Sequence, residues 1–95
     1  MDNFHEILVL IYLNEYKDDY MLSAIKDLCN FSTAQLKSCI EKMKENKLVD
    51  SQSGKLSVSK AGEHLLKVKN LLNVSIDDLF EDTVTLNFLD EKLYP

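Results

Sequence analysis

Apolar side chains recur along this chain at the spacing of helices, then briefly at that of strands. In "NFHEILVLIYLNEY", Phe4, Ile7, Leu8 and Ile11 stand at i, i+3, i+4 and i+7, one face of an amphipathic helix with Asp2 or Asn3 available as its cap. "SAIKDLCN" repeats the spacing over Ile25, Leu28 and Cys29, which predicts a short second helix capped by Ser23. Asn30 tolerates a left-handed backbone better than most non-glycine residues, so a sharp turn is expected there, with Phe31 pinning it to the core. Ser32 and Gln35 then form a capping box. It opens a third helix from about Thr33 through about Asn46, roughly 20 Å long at 1.5 Å per residue. That helix stacks Leu36, Cys39, Ile40 and Met43 on one face and turns Ala34, Ser38, Glu41 and Glu45 outward.

The period changes after Asn46. Leu48 and Val49 precede a polar, Gly-containing turn, and Leu56-Ser57-Val58 alternates like the return strand of a hairpin. Ser59 is placed to cap a fourth helix, along which Ala61, Leu65, Val68 and Leu72 recur at helical spacing. "SIDDLF" predicts a short helix with a weaker box between Ser75 and Asp78, and "TVTLNFL" alternates Val84, Leu86 and Phe88 like a strand, although "NFLDEKL" reads equally as helix. No internal repeat, low-complexity segment or long linker divides the chain.

Length and composition fit one mainly helical domain with a modest core. A chain of 95 residues hides about 60–65% of its unfolded surface on folding. No apolar run approaches the roughly 20 residues needed to span a bilayer, so no membrane partner is expected. The acidic start "MDNFHE" lacks the basic-then-apolar order of a secretory signal, and a cytoplasmic location follows as the expectation. Cys29 and Cys39 fall on the buried sides of their helices and read as reduced core thiols. His5 and His64 sit in no ligand motif, so neither a metal nor a cofactor is expected.

Charge changes the picture. The formal net charge of −5 hides a segregation: residues 1–30 carry six acids against two lysines, residues 31–70 eight lysines against four acids, and residues 71–95 six acids against one lysine. A basic middle between acidic ends is the electrostatic footprint of a nucleic-acid surface. Every cation is a lysine, which acts as a point charge and lacks the bidentate fork of arginine.

The order helix, helix, turn, helix, hairpin, helix resembles the winged helix-turn-helix. "LSAIKDLCNFSTAQLKSCIEKMKENKLV" is similar to the second and third helices of bacterial regulators of the MarR and related families, and "LSVSKAGEHLL" to their returning wing strand and following helix. The likeness covers about Leu22 to Leu66. It implies a winged helix-turn-helix domain over residues 1–73 with a C-terminal extension over 74–95. It further implies that the third helix enters the major groove of double-stranded DNA while the wing touches the backbone or minor groove. Ser32 and Thr33 then stand where a helix N-terminus donates to phosphate. Gln35 is placed to pair with adenine, Lys37 to reach guanine or phosphate, and Ser38 to bond either base type. Lys42 and Lys44 would face the backbone from the flanks, and Lys55 marks the wing.

The departures also carry information. Lys47 stands where such families place glycine, so the helix is expected to end differently, and the tip "DSQSG" is short and without arginine. Glu41 and Glu45, at the centre of the outward face, repel phosphate and leave the first half of the helix to read DNA. Two function classes result. The first is a small DNA-binding transcriptional regulator, expected as a homodimer because two subunits on half-sites about 34 Å apart multiply a weak affinity. The apolar residues from Leu71 onward, Ile76, Leu79 and Phe80 among them, are the expected dimer element, with helix one as a contributor. The alternative is a winged-helix protein-interaction module, favoured by the acidic net charge and the outward glutamates. An enzyme is not expected, since no nucleophile–base set or phosphate-binding glycine loop is present.

Overall fold

The computed structural model describes residues 3–78. In chain order they form α1 (Asn3–Tyr16), a single 3-10 turn (Lys17–Asp19), α2 (Leu22–Cys29), α3 (Thr33–Glu45), β1 (Val49–Gln52), β2 (Lys55–Val58) and α4 (Lys60–Val68). Among the described residues the architecture is mainly helical with one two-stranded antiparallel hairpin following three helices, as the pattern of apolar positions predicts.

The N-terminal helix is more central than its sequence pattern implies. The i, i+3, i+4, i+7 reading made Phe4 the start of a buried face, yet Phe4 is 61% exposed, whereas the run from Leu8 to Leu13 is buried on every side. The cause is the company α1 keeps: it packs against α2, α4 and β2 at once, and a helix surrounded in this way is apolar all round rather than along one stripe. α1 begins at Asn3, so Asn3 is not its cap, and Asp2 lies outside the described residues.

Ser23 does not cap α2. The helix starts one residue earlier, at Leu22, with Met21 as the extended N-cap residue and no side-chain cap. A tertiary contact compensates, because the Met21 N–H donates to Tyr12 Oη of α1 at 3.0 Å. At the other end Asn30 adopts φ 57°, ψ 44°, the left-handed turn expected of it. Phe31 N–H reaches back to Lys26 O at 2.9 Å while Asn30 N–H bonds Asp27 O at 3.2 Å, the paired bonds of a Schellman ending.

α3 closes in the same way. Leu48 N–H bonds Met43 O at 2.9 Å and Lys47 N–H bonds Lys44 O at 3.0 Å, with Lys47 at φ 61°. The altered helix end expected from lysine in a glycine position is therefore absent: Lys47 adopts the conformation a glycine would, against the steric cost of its Cβ.

The hairpin turns through Ser53 and Gly54, both at positive φ (53° and 79°), as a two-residue type I′ loop requires. Gln52 pairs with Lys55 beside the loop and Ser51 with Leu56 next, so the Leu56 N–H points away from β1. It donates to Tyr20 Oη at 2.9 Å, which ties the edge of the hairpin to the segment before α2.

Ser59 caps α4 as expected, accepting from Gly62 N–H at 3.0 Å while donating its hydroxyl to Lys47 O at 2.6 Å. The buried face of α4 is the expected one only in part, with Leu65 half-buried against the core. Gly62 and Leu66 face the core, Ala61 is exposed, Val68 is 64% exposed, and Leu72 lies beyond the helix end. Gly62 sets this rotation: α4 approaches so closely there that an added Cβ would collide with Leu48 O and lie 2.9 Å from Val58 Cγ1.

Past α4 the chain is fastened to the end of α1. Asn14 Nδ2 donates to Leu72 O and the Ile76 N–H donates to Glu15 Oε1, each at 2.8 Å. Ile76 is buried in the core of its own chain. Ser75 Oγ accepts from Asp78 N–H at 3.0 Å, which is one half of the predicted box. The expected strand "TVTLNFL" and the rest of the dimer element from Leu79 onward lie outside the described residues.

Candidate nucleic-acid interface

The candidate site is built on α3, and α3 is set by its N-terminus. Ser32 Oγ accepts from Gln35 N–H at 3.1 Å and Gln35 Oε1 accepts from Ser32 N–H at 2.8 Å, so both halves of the box form. Leu36, Ile40 and Met43 anchor the inner face, which leaves Thr33, Ala34, Gln35, Lys37, Ser38, Glu41, Lys42, Lys44 and Glu45 exposed. Every α3 residue expected at the site is thus on the surface, and so is Lys55 just after the hairpin loop.

They do not form one patch. Thr33, Lys37, Glu41 and Lys44 line a groove of about 400 Å³ that α3 shares with the hairpin, where Ser51 and Gly54 form the opposite wall. Leu36, Ile40 and Leu56 lie at its floor, with Tyr20 and Leu22 at one edge. Gln35, Ser38 and Lys42 sit on the other flank, around a hollow of about 310 Å³ shared with His5, Glu6 and Phe31. At about 100° per residue the centre between the flanks belongs to Ala34, Glu41 and Glu45, with Ser38 at the border of its own flank. Glu41 therefore stands between the two lysine flanks and also borders the groove.

Two side chains have part of their hydrogen-bonding capacity committed. Pairing of Gln35 with adenine needs its carbonyl and its amide together, but the carbonyl is engaged by Ser32 N–H. The amide is free and the carbonyl keeps its second lone pair, but the bond to Ser32 holds the side chain back against the start of α3. Thr33 Oγ1 accepts from Lys26 Nζ at 2.9 Å, so Lys26, absent from the residues singled out in the sequence, brings a further cation to the start of α3. Nothing in the spacing of Lys26 signals this, because it depends on the angle at the Asn30 turn.

Burial pushes the Cys29 thiol up to about 11, with Cys39 adding to the rise. Burial also raises Cys39, reinforced by Glu6 and opposed by Lys42. Both thiols are free, and both stay protonated near neutral pH, which makes them poor nucleophiles and poor metal ligands. Among the described residues no three His, Cys, Asp or Glu side chains gather where they could hold a metal ion, and no helix is long and apolar enough to cross a membrane.

No family model and no curated protein matches this chain.

Proposed function

We propose that this chain is a small DNA-binding transcriptional regulator of the winged helix-turn-helix type, with α3 as the recognition helix and the β1–β2 hairpin as the wing. One observation carries the reading. Thr33, Lys37 and Lys44 share a groove with the hairpin while the whole outward face of α3 remains exposed. Such a surface fits a duplex whose major groove receives the first half of α3, with Ser32 and Thr33 near one phosphate strand and Lys37, Lys42, Lys44 and Lys55 supplying the neutralising charge. Lys26 joins them through Thr33. Glu41 and Glu45 repel phosphate, so the second half of α3 tilts away from the backbone. Lysines alone give few contacts, and the regulator acts as a homodimer on two half-sites.

The test is binding of labelled random-sequence duplex DNA by fluorescence anisotropy, stepped from low to physiological salt, for wild type and for Lys37→Ala combined with Lys42→Ala. Micromolar affinity at low salt is expected to fall with a log–log slope of about −0.9 per phosphate contacted. The double variant should weaken binding without regard to sequence and flatten the slope by roughly one for each phosphate-facing lysine removed. Absence of binding at low salt by folded protein would overturn the reading. Glu41 in the groove and the half-exposed Leu22 beside it favour the second reading, a protein-interaction module, and a pull-down for a protein partner would follow.

A further inference from the structure

The first turn of α1 buries a carboxylate. Glu6 is only 6% exposed, and among the described residues it has no ion pair and no side-chain hydrogen bond. No fully buried polar side-chain atom among those residues lacks a partner, so the part of Glu6 that remains accessible is its carboxylate. Buried charges are ordinarily paired, because an unpaired one forfeits its hydration. Glu6 instead lines the hollow of about 310 Å³ between α1 and α3, where there is room for a counter-charge.

The other walls define what carries that counter-charge. His5 and Phe31 stand side by side with ring centroids 4.9 Å apart, and Phe4 meets His5 edge-on at 5.7 Å. Aromatic faces of this kind attract an organic cation and cover its apolar body. Gln35 and Ser38 add hydrogen-bonding groups from α3. Lys42 is exposed in the same lining and does not pair with Glu6, although both charges act on Cys39, whose thiol is raised by burial and by Glu6 and lowered by Lys42. A hollow of about 310 Å³ lies at the lower end of small-molecule sites, roughly 300–1,000 Å³.

We propose that this hollow binds a small organic amine, its protonated nitrogen on the Glu6 carboxylate and its apolar body against the rings of His5 and Phe31. The site shares no residue with the α3–hairpin groove, and it does not rest on the DNA-binding reading. Lys42 opposes the cation, but from solvent, where a charge is screened and weak. The two charges therefore act with opposite sign: loss of the Glu6 charge removes the site, and loss of the Lys42 charge improves it. The hollow beside Ile76 also joins rings, those of Tyr12 and Tyr16, to a carboxylate, that of Asp27. Asp27 is exposed and keeps its hydration, so it gains less from a cation.

The test is an NMR titration of the isotopically labelled full chain with phenethylamine, with phenylethanol as the uncharged analogue and phenylpropanoate as the anionic one. Phenethylamine is expected to shift the amides of His5, Glu6, Phe31, Ser38 and Cys39 saturably. Glu6→Gln keeps the shape of the side chain and should weaken binding about tenfold or more, the worth of a charge-assisted hydrogen bond. The alcohol should bind wild type more weakly than the amine by a similar factor, which decides the question without a variant if Glu6→Gln does not fold. Lys42→Ala should tighten binding about two- to fivefold, as removal of an exposed like charge does. No saturable shift in folded wild type, equal binding of amine and alcohol, or an affinity unchanged in folded Glu6→Gln would each overturn the proposal. Shifts centred on Ala24 and Asp27 would move the site to the other hollow and overturn it too. So would preference for the carboxylate, or weaker amine binding in Lys42→Ala, because either reverses the sign of the site.

Discussion

Gly62 shows how much one missing side chain can decide. Helix propensity alone says that alanine in its place would gain about 1 kcal/mol. The contacts say otherwise, because the new Cβ would meet a backbone carbonyl, Leu48 O, and lie 2.9 Å from Val58 Cγ1 and 3.1 Å from Leu10 Cδ2. A carbonyl cannot rotate aside as a side chain can, so α4 must back away from the hairpin. Gly62→Ala is expected to lose about 1–3 kcal/mol net, as overpacked cores do. Thermal unfolding should then fall by about 4–8 °C per kcal/mol for a domain of this size. The residue pattern concealed this. Counting apolar positions placed Ala61 and Val68 inward, since glycine scores nothing, and the helix is rotated accordingly. Lys47 makes a related point: its lysine code predicted an altered helix end, but the two backbone hydrogen bonds of the Schellman turn hold it at φ 61° regardless.

At the scale of elements, ends written in side-chain code were legible and ends held by distant residues were not. The Ser32–Gln35 box, the Asn30 turn and the Ser59 cap all appear where local sequence puts them, because each uses a partner within five residues. The start of α2 does not, because its anchor is the hydroxyl of Tyr12, nine residues away on another helix. The box is also where stability and recognition meet, since the bond from Ser32 N–H fixes the direction of the Gln35 side chain and leaves its carbonyl one lone pair. Ser32→Ala removes the acceptor for Gln35 N–H and is expected to cost about 1 kcal/mol, within a range of roughly 0.5–2. Hydrogen exchange read by NMR should show the Gln35 amide losing protection in that variant, while amides in α4 slow or quicken only with the global stability.

Across the whole molecule, the C-terminal part of the described chain belongs to the core that α1 organises. Ile76 is 8% exposed among side chains of α1 and α2, and its N–H is held by Glu15. Ile76→Ala should therefore cost about 2–5 kcal/mol, the range for truncating a buried isoleucine. Leu22→Ala, at an exposed position, should stay within about 0.5 kcal/mol. Denaturant midpoints check both. The Ile76 loss should be the same at low and high protein concentration, because the contact lies within one chain; a loss that varied with concentration would place Ile76 between chains instead. The sequence by itself determined the element types and their order, the α3 cap, the left-handed Asn30 turn, the hairpin position and the segregation of charge. Each of these is set by bonds or periodicities within a few residues. The tertiary structure alone decided that α1 is buried all round, that α4 turns Gly62 inward, and that Tyr12 and Tyr20 fasten α2 and the hairpin. It also decided that the lysines of α3 divide between two flanks with Glu41 between them. These depend on which surfaces meet, and the meeting is settled by packing over dozens of residues, which no local window contains.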